Sequence, residues 1–315
     1  MKRVHVAAAV IRGADGRVLI ARRPDDKHQG GLWEFPGGKV EEGEAVQVAL
    51  SRELEEELGI RVSSARPLIQ VHHDYPDKQV LLDVWEVSAF TGEPHGAEGQ
   101  PLAWATEQEL SDYEFPAANQ PILAAARLPD RYLITPDELE PQELLQGVRA
   151  ALAKGTRLIQ LRAPNMFDAQ YRDLAVDIQG LCARRAQLML KGPLEWLGDF
   201  PAAGWHLTAD QLRRYAPRGR PFPKERWLAA SCHSAEELEL ATEMGVDFVT
   251  LSPLQATQTH PDAQPLGWET AQEMIRRFNK PVFLLGGVGP DDLQRAWQTG
   301  AQGVAGIRAF WPTKD

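Results

Sequence analysis

Cysteine is scarce. The 315-residue chain holds two, Cys182 and Cys232, too few and too scattered for a disulfide framework or a structural zinc site, so both read as free thiols. Long apolar runs are missing as well. No stretch of about 18 apolar residues occurs, which excludes a membrane-spanning helix. The N-terminal MKRVHVAAAVIRG has a short apolar run with no small-residue cleavage signal behind it. It reads as a strand and not as an export signal, so a reducing, cytoplasmic setting without a membrane partner is expected. Positive charge is also short, with 34 Lys and Arg against 44 Asp and Glu and a net charge of −10. That excludes a general binder of nucleic-acid backbone, which needs a basic surface. Any polyphosphate substrate must then be screened locally, by a metal or by placed Arg and Lys. The remaining composition, 43% hydrophobic and 25% charged, is that of an ordinary globular protein. The length suggests two domains.

The most informative stretch is GKVEEGEAVQVALSRELEEELGI, from Gly38 to Ile60. Val46, Leu50, Leu54 and Leu58 recur every four residues, an apolar helical stripe. Glu53, Glu56 and Glu57 fall within a sector of about 100° beside it. Carboxylates three and four residues apart on a helix repel, and a divalent cation between them relieves that repulsion. Hard oxygen ligands suit Mg²⁺ or Mn²⁺. Gly59 is placed to stop the helix. A bare ExxEE is most often a solvated helix face. Here glycines flank both ends, Glu44 stands at the helix entry and Arg52 precedes Glu53.

With those offsets the stretch resembles the Nudix hydrolase signature, GX5EX7REUXEEXGU with U bulky aliphatic, and every specified position matches. The surrounding pattern agrees with an α/β domain. Val4 to Ile11 and Val18 to Arg22 read as a hairpin about the turn at residues 13–16. Leu32 to Gly38 reads as a loop entering the helix, with glycines that allow a Gly37 carbonyl to face a metal. Leu68 to Tyr75, Val80 to Val87 and Leu102 to Trp104 read as strands. A second helix is expected from Thr106 to Leu110, and a last one from Ile122 to Arg127. Residues 1–128 resemble the MutT branch, which hydrolyses oxidised purine nucleoside triphosphates. The carriers are Arg22-Arg23, Glu34 to Lys39, the Glu93 to Gln100 loop and Phe115 to Asn119. The resemblance implies a Nudix α/β/α sandwich with a mixed sheet. It also implies that Gly37, Glu53, Glu56, Glu57 and Glu98 hold the metal, and that Arg23, Phe35 and Asn119 contact the nucleoside. Lys39 and Arg23 are candidates for phosphate contacts. An asparagine amide can read a purine edge bidentately. Arg52 would orient Glu53 by a charge-assisted hydrogen bond, and either Glu53 or Glu98 would take a proton from water. The implied reaction turns 8-oxo-dGTP into 8-oxo-dGMP and pyrophosphate, a step that cleanses the nucleotide pool before DNA replication and avoids mutation.

After Leu128-Pro129-Asp130 the texture changes to apolar runs alternating with helical stretches. Candidate strands are Arg131–Thr135, Arg157–Leu161, Gln187–Leu190, Gly204–Leu207, Trp227–Ser231, Phe248–Leu251, Val282–Leu285 and Gly303–Ile307. About eight strands suggest a closed (β/α)8 (TIM) barrel, with an open doubly wound sheet as the alternative. The expected domains are 1–129 and 130–315. Gly286-Gly287 before a helix near Pro290 is a candidate phosphate cradle. This half resembles thiamine-phosphate synthase and its TenI-like relatives. The carriers are Tyr132 to Pro136, Gln160-Leu-Arg162, Gly204-x-His206, Ser231-x-His233-Ser234, Leu251-Ser-Pro253, Pro261 to Gly267 and Gly286-Gly287. It implies phosphate binding at Ser234, Gly286 and Gly287. It departs from the synthases in three places. Ala163-Pro164 follow the Gln-x-Arg where a Lys is usual, Lys191-Gly192-Pro193 replace a metal-binding Asn-Asp-Arg, and His260 replaces a Lys. The expectation is therefore a pyrophosphohydrolase carrying a synthase-like barrel. The alternatives are an active synthase, a hydrolase of damaged thiamine diphosphate, and a barrel that serves only binding or dimerisation. The oligomeric state is left open.

Overall fold

Alternation along the first strand sets the layers of the first half. In β1 (Lys2–Arg12) Ala7, Ala9 and Ile11 face one side of the sheet, and Ala8 and Val10 the other. The first set packs on Leu50, Leu54 and Leu58 of the helix α1 (Val46–Leu58), all fully buried. Each such leucine contributes about 1.5–3 kcal/mol of burial. The second set joins Ile122, Ala125 and Ala126 of the last helix of this half. The result is an α/β/α sandwich. The structure is a computed structural model describing residues 2–25, 29–76, 78–257 and 263–312. The chain divides into two compact units, Met1–Arg127 and Leu128–Asp315.

Further strands of the first unit are β2 (Val18–Arg22), β3 (Trp33–Glu34), β4 (Gly37–Lys39), β5 (Arg61–Asp74), β6 (Lys78–Thr91) and β7 (Leu102–Ala105), followed by α2 (Gln120–Arg127). The sheet is mixed, in the order β3-β2-β1-β6-β5, with β4 on β1 and β7 on β2. The expected β1–β2 hairpin is present, but the longest ladder of β1 is parallel to β6, from Lys2↔Lys78 to Ile11↔Val87. Three expectations need correction. The loop entering the helix contains β3 and β4, too short to show a period. The expected helix at Thr106 is a 3₁₀ turn at Glu109–Asp112, because Thr106 and Glu109 cap each other reciprocally. Finally, β5 and β6 are longer than expected. Register shifts between Val62 and Ser64, Ser64 and Ala65, and Pro67 and Ile69 break their alternation, which hides the extra length from a period-two reading.

The second unit is a closed eight-stranded parallel barrel. Its strands are β8 (Arg131–Ile134), β9 (Leu158–Leu161), β10 (Gln187–Leu190), β11 (Gly204–Leu207), β12 (Leu228–Cys232), β13 (Phe248–Leu251), β14 (Val282–Leu285) and β15 (Gly303–Gly306). The ring closes as β10-β11-β12-β13-β14-β15-β8-β9, which leaves no edge and excludes the open sheet. Around it run α3 (Pro141–Ala153), α4 (Asp168–Cys182), α5 (Ala209–Tyr215), α6 (Ala235–Met244), α7 (Gly267–Arg276) and α8 (Leu293–Gln298). Between β10 and β11 the connection is a 3₁₀ turn, Leu194–Gly198. Tyr132, Phe248 and Phe283 fill the barrel interior with ring centroids 5.5–5.6 Å apart. The second unit starts at Leu128 and not at residue 130. Leu128 is buried with this interior cluster, and its carbonyl accepts from Gln302 Nε2 at 2.9 Å. Cys182 and Cys232 are buried free thiols. Among the described residues no helix is long and apolar enough to cross a membrane.

Candidate active site

Two glycines bring α1 against β4. Gly37 has φ +145°, and a Cβ there would lie 2.1 Å from the Ala7 carbonyl oxygen, so only glycine allows this pairing with β1. At Gly38 a Cβ would lie 2.1 Å from the Glu53 carboxyl group. The bare backbone at Gly38 is therefore the floor on which Glu53 lies.

Arg52 holds the acidic residues in place. Its Nε and Nη2 donate to the two carboxylate oxygens of Glu44 at 3.1 and 3.0 Å, a bidentate grip. Nη1 donates to Glu53 Oε1 at 2.8 Å and reaches Glu56 Oε2 at 3.4 Å, and Nη2 also donates to the Lys39 carbonyl at 3.1 Å. These bonds keep the Glu44 carboxyl below its ordinary pKa and raise that of the guanidinium. The glutamates of ExxEE differ in exposure. The Glu53 side chain is 16% exposed and that of Glu56 61%.

Glu57 turns inward, where the Gly37 N–H reaches its Oε2 at 3.4 Å. Burial pushes its pKa up to about 7, with further raising by the charges of Glu34, Glu53 and Glu98. Glu98 comes close because its loop is pinned to the end of α1. Ala97 N and Gln100 Nε2 both donate to the Glu57 carbonyl at 3.0 Å, and His95 N donates to the Leu58 carbonyl at 3.1 Å. The loop thus satisfies carbonyls that a helix end leaves free. Gly59, at φ +67°, closes the helix beneath His95. Glu34 belongs to this cluster; it lies in the Glu34 to Lys39 stretch that carries the resemblance, but that stretch assigned it no site role. Burial raises its pKa while Arg23, its ion-pair partner, opposes that.

The donor set is all hard oxygen, and it gathers negative charge that a divalent cation would relieve, so its chemistry fits Mg²⁺ or Mn²⁺. The side chains are not drawn together as a finished ligand set. Among the described residues no three Asp, Glu, His or Cys are grouped to hold a metal. Arg52 instead pairs with Glu53 and reaches Glu56.

The expected nucleoside and phosphate contacts differ in burial and pairing. Arg23 is paired with Glu34. Phe35 is 4% exposed and stacks on Phe115 with centroids 5.4 Å apart, so it packs as a core aromatic. The Lys39 side chain is exposed, and Asn119 is half-buried at the end of the 3₁₀ turn Ala117–Asn119.

Glu57 also brings a pH dependence. Its folded pKa lies above the unfolded value of 4.5. Its contribution to stability is therefore complete below the unfolded pKa and is lost as pH rises through about 7. Glu57→Gln removes that loss. In thermal melts of EDTA-treated protein, the variant's advantage over the parent is expected to grow from roughly pH 5 to roughly pH 8. An advantage that shrinks over this range would contradict the sign.

At the mouth of the barrel a cavity of about 660 Å³ is lined by Gln160, Arg162, Lys191, His206, Ser231 and His233 among others. A polar chain runs beneath it. Gln160 Nε2 donates to Tyr132 Oη at 2.9 Å, which lies 3.0 Å from His206 Nδ1; His206 Nε2 lies 3.1 Å from Ser231 Oγ, and Lys191 Nζ donates to that oxygen at 3.0 Å. Burial drives the His206 pKa well below its ordinary value, with help from Lys191, and brings Lys191 down to about 8. Tyr132→Phe strands both Gln160 and His206 in the interior. It is expected to cost about 1–3 kcal/mol, read as a lower denaturation midpoint of the barrel.

The expected phosphate residues of the barrel are only partly assembled. Gly286 and Gly287, at φ +98° and +70°, line a second cavity of about 590 Å³. After them come a 3₁₀ turn, Pro290–Asp292, and a six-residue helix, not one full helix. Ser234 is the N-cap of α6, its hydroxyl accepting from Glu237 N at 3.3 Å. His260, Pro261 and Asp262 lie outside the described residues. Among the described residues the carboxylate lining the first cavity, Asp210, is paired with Arg213, and Asp137 and Glu237 are paired with Arg162 and Arg213 in turn, so none of these three is free to hold a divalent cation.

Residues 7–125 match the NUDIX domain family, and residues 131–310 match the family described as thiamine monophosphate synthase. The chain is 39% identical over 124 residues to 8-oxo-dGTP diphosphatase of Escherichia coli (strain K12), covering 39% of this chain and 96% of that protein. It is also 39% identical over 125 residues to CTP pyrophosphohydrolase of the same organism, covering 40% and 92%. A putative thiamine-phosphate synthase 2 of Aquifex aeolicus (strain VF5) is 31% identical over 185 residues, covering 58% of this chain and 98% of that protein.

Proposed function

Because the chain belongs to the Nudix family through its first half and to the thiamine monophosphate synthase family through its second, we propose that it is a Mg²⁺-dependent nucleoside triphosphate pyrophosphohydrolase. The proposed substrate is 8-oxo-dGTP, and the products are 8-oxo-dGMP and pyrophosphate. The observation that carries the reading is Arg52 donating to Glu53 over the bare backbone of Gly38, with Glu57 buried behind.

Glu53, Glu56, Glu57, Glu98 and the Gly37 carbonyl are the residues that would hold the metal. When bound, magnesium neutralises phosphate charge and lowers the pKa of a water. The chain's own residues do the rest. Glu53 accepts the proton of the attacking water at the carboxylate oxygen not engaged by Arg52. Arg52 orients that carboxylate by its bond to Oε1, and is itself fixed by Glu44 and the Lys39 carbonyl. Glu57 adds negative charge at the floor of the site. Lys39, exposed at the surface, meets substrate phosphate. Arg23 and Asn119 flank the base.

Relatives that act on an oxidised purine and on a pyrimidine nucleotide are equally similar to this chain, so base choice is the point to test. In a hydrolysis panel with Mg²⁺ over 8-oxo-dGTP, dGTP, dCTP and CTP, scored by pyrophosphate release, 8-oxo-dGTP is expected to give the highest kcat/KM. A preference for CTP would overturn the base assignment and leave the reaction class standing. Loss of pyrophosphate release with every nucleotide would overturn both. No synthase step is assigned to the barrel, because among the described residues the carboxylate lining its mouth, Asp210, is already paired with Arg213.

A further inference from the structure

We propose that Gln100 is a positioning residue of the hydrolase site. Its side-chain amide ties the main chain of Glu98 to that of Glu57, two of the residues that would hold the metal. This inference rests on the hydrolase reading of the first half and adds a residue to it.

Glu57 lies in the last turn of α1, where main-chain carbonyls have no partner within the helix. Its carbonyl accepts two bonds from one loop, from Ala97 N and from Gln100 Nε2, both at 3.0 Å. A carbonyl oxygen has two lone pairs, so this one is fully used. Glu98 lies between the two donors along the chain. The loop turns tightly around it, with Gly99 N donating to the Gly96 carbonyl at 2.9 Å and Gly99 at φ +80°. Such a turn bonds its first residue to its fourth, which leaves the N–H of the third, Glu98, without a partner inside it. Gln100 Oε1 accepts that N–H at 2.9 Å. One amide thus donates to the main chain of Glu57 and accepts from the main chain of Glu98.

The bridge needs a donor and an acceptor at the end of one side chain. Asparagine has both but is one methylene shorter, and an ionised glutamate has no donor. Gln100 itself stands on firm ground. The carbonyl of the next residue, Pro101, accepts from Arg22 N at 2.9 Å, and Leu102 then pairs with Ala21 of β2. A Cβ at Gly96 would lie 2.1 Å from the Gln100 carbonyl oxygen, so the loop closes directly on this residue. The Glu98 side chain has no such support. It is exposed, and among the described residues no ion pair or hydrogen bond holds its carboxylate. Where Glu98 stands against Glu57 is therefore set by its main chain. The two carboxylates repel, and a loop released from α1 would carry Glu98 away. Gln100 opposes that movement before any cation arrives.

Manganese binding to the resting full-length protein, followed by electron paramagnetic resonance of free Mn²⁺, tests this without turnover. Gln100→Leu keeps much of the side-chain volume and loses both bonds. It is expected to weaken Mn²⁺ binding by roughly 10–100-fold. Glu98→Gln should weaken it by a similar factor, and adding Gln100→Leu to Glu98→Gln should cost less than about twofold more. Losses that multiply in the double variant would show a purely structural role and overturn the proposal. Parental Mn²⁺ affinity in either single variant, or no Mn²⁺ binding by the parent, would overturn it too. Thermal melts check folding, and if Gln100→Leu does not fold, Gln100→Asn carries the same comparison. The hydrolase reading fails separately, on a parent that binds Mn²⁺ yet releases no pyrophosphate from any nucleotide; the Mn²⁺ titrations then still decide the role of Gln100.

Discussion

Glu53→Gln is expected to lower kcat for nucleotide hydrolysis by roughly 10²–10⁴-fold, the usual contribution of a positioned general base. That loss equals about 3–5 kcal/mol of barrier. The substitution keeps the shape of the side chain and an oxygen for Arg52 Nη1, 2.8 Å away. It removes the negative charge and the basic oxygen. The fold should persist, because the apolar face of α1 is carried by Leu50, Leu54 and Leu58. Steady-state kinetics with a thermal melt separates the two effects. A folded variant with near-parental turnover would sink the role given to Glu53, whereas a variant that fails to fold would show that the residue is structural.

Gly38→Ala is expected to reach a similar loss without replacing a charged residue. The added methyl would sit 2.1 Å from the Glu53 carboxyl carbon and one of its oxygens, and 2.5 Å from the other. Glu53 is the far end of a flexible side chain, so it can swing away at little cost in stability. The new position is wrong for chemistry, and a misplacement of about 1 Å can cost 10²-fold in rate. The expected result is a drop in kcat of about 10²-fold or more with Tm nearly unchanged. If activity and stability fell together, Gly38 would be serving the β1–β4 pairing. If neither fell, Glu53 would be acting from somewhere other than the floor of the site. Gly37→Ala is the contrast. A Cβ there would meet the rigid Ala7 carbonyl at 2.1 Å, from a backbone at φ +145°, so stability should fall with activity.

Much of the fold was legible because its signals are local. The stripe from Val46 to Leu58 and the stop at Gly59 delimit α1, and the eight apolar runs of the second half coincide with the barrel strands to within about one residue at most ends. The misses have local causes too. Bulges hid the length of β5 and β6, and two short strands have no period to read. In the site, Arg52 beside Glu53 was readable from adjacency on the chain. The placement of Glu34 beside Glu57 was not, nor was the burial of Phe35 against Phe115, since both depend on partners far along the chain.

By itself the sequence determined most of the elements, the acidic helix and its arginine, and the two families, because these reside in spacing along a single chain. Only the tertiary structure decided which carboxylates face one another, which cations are already neutralised, and that Lys191 meets Ser231 over His206. Those facts depend on distances between separate strands and on the protons shared across them, and no linear spacing specifies either.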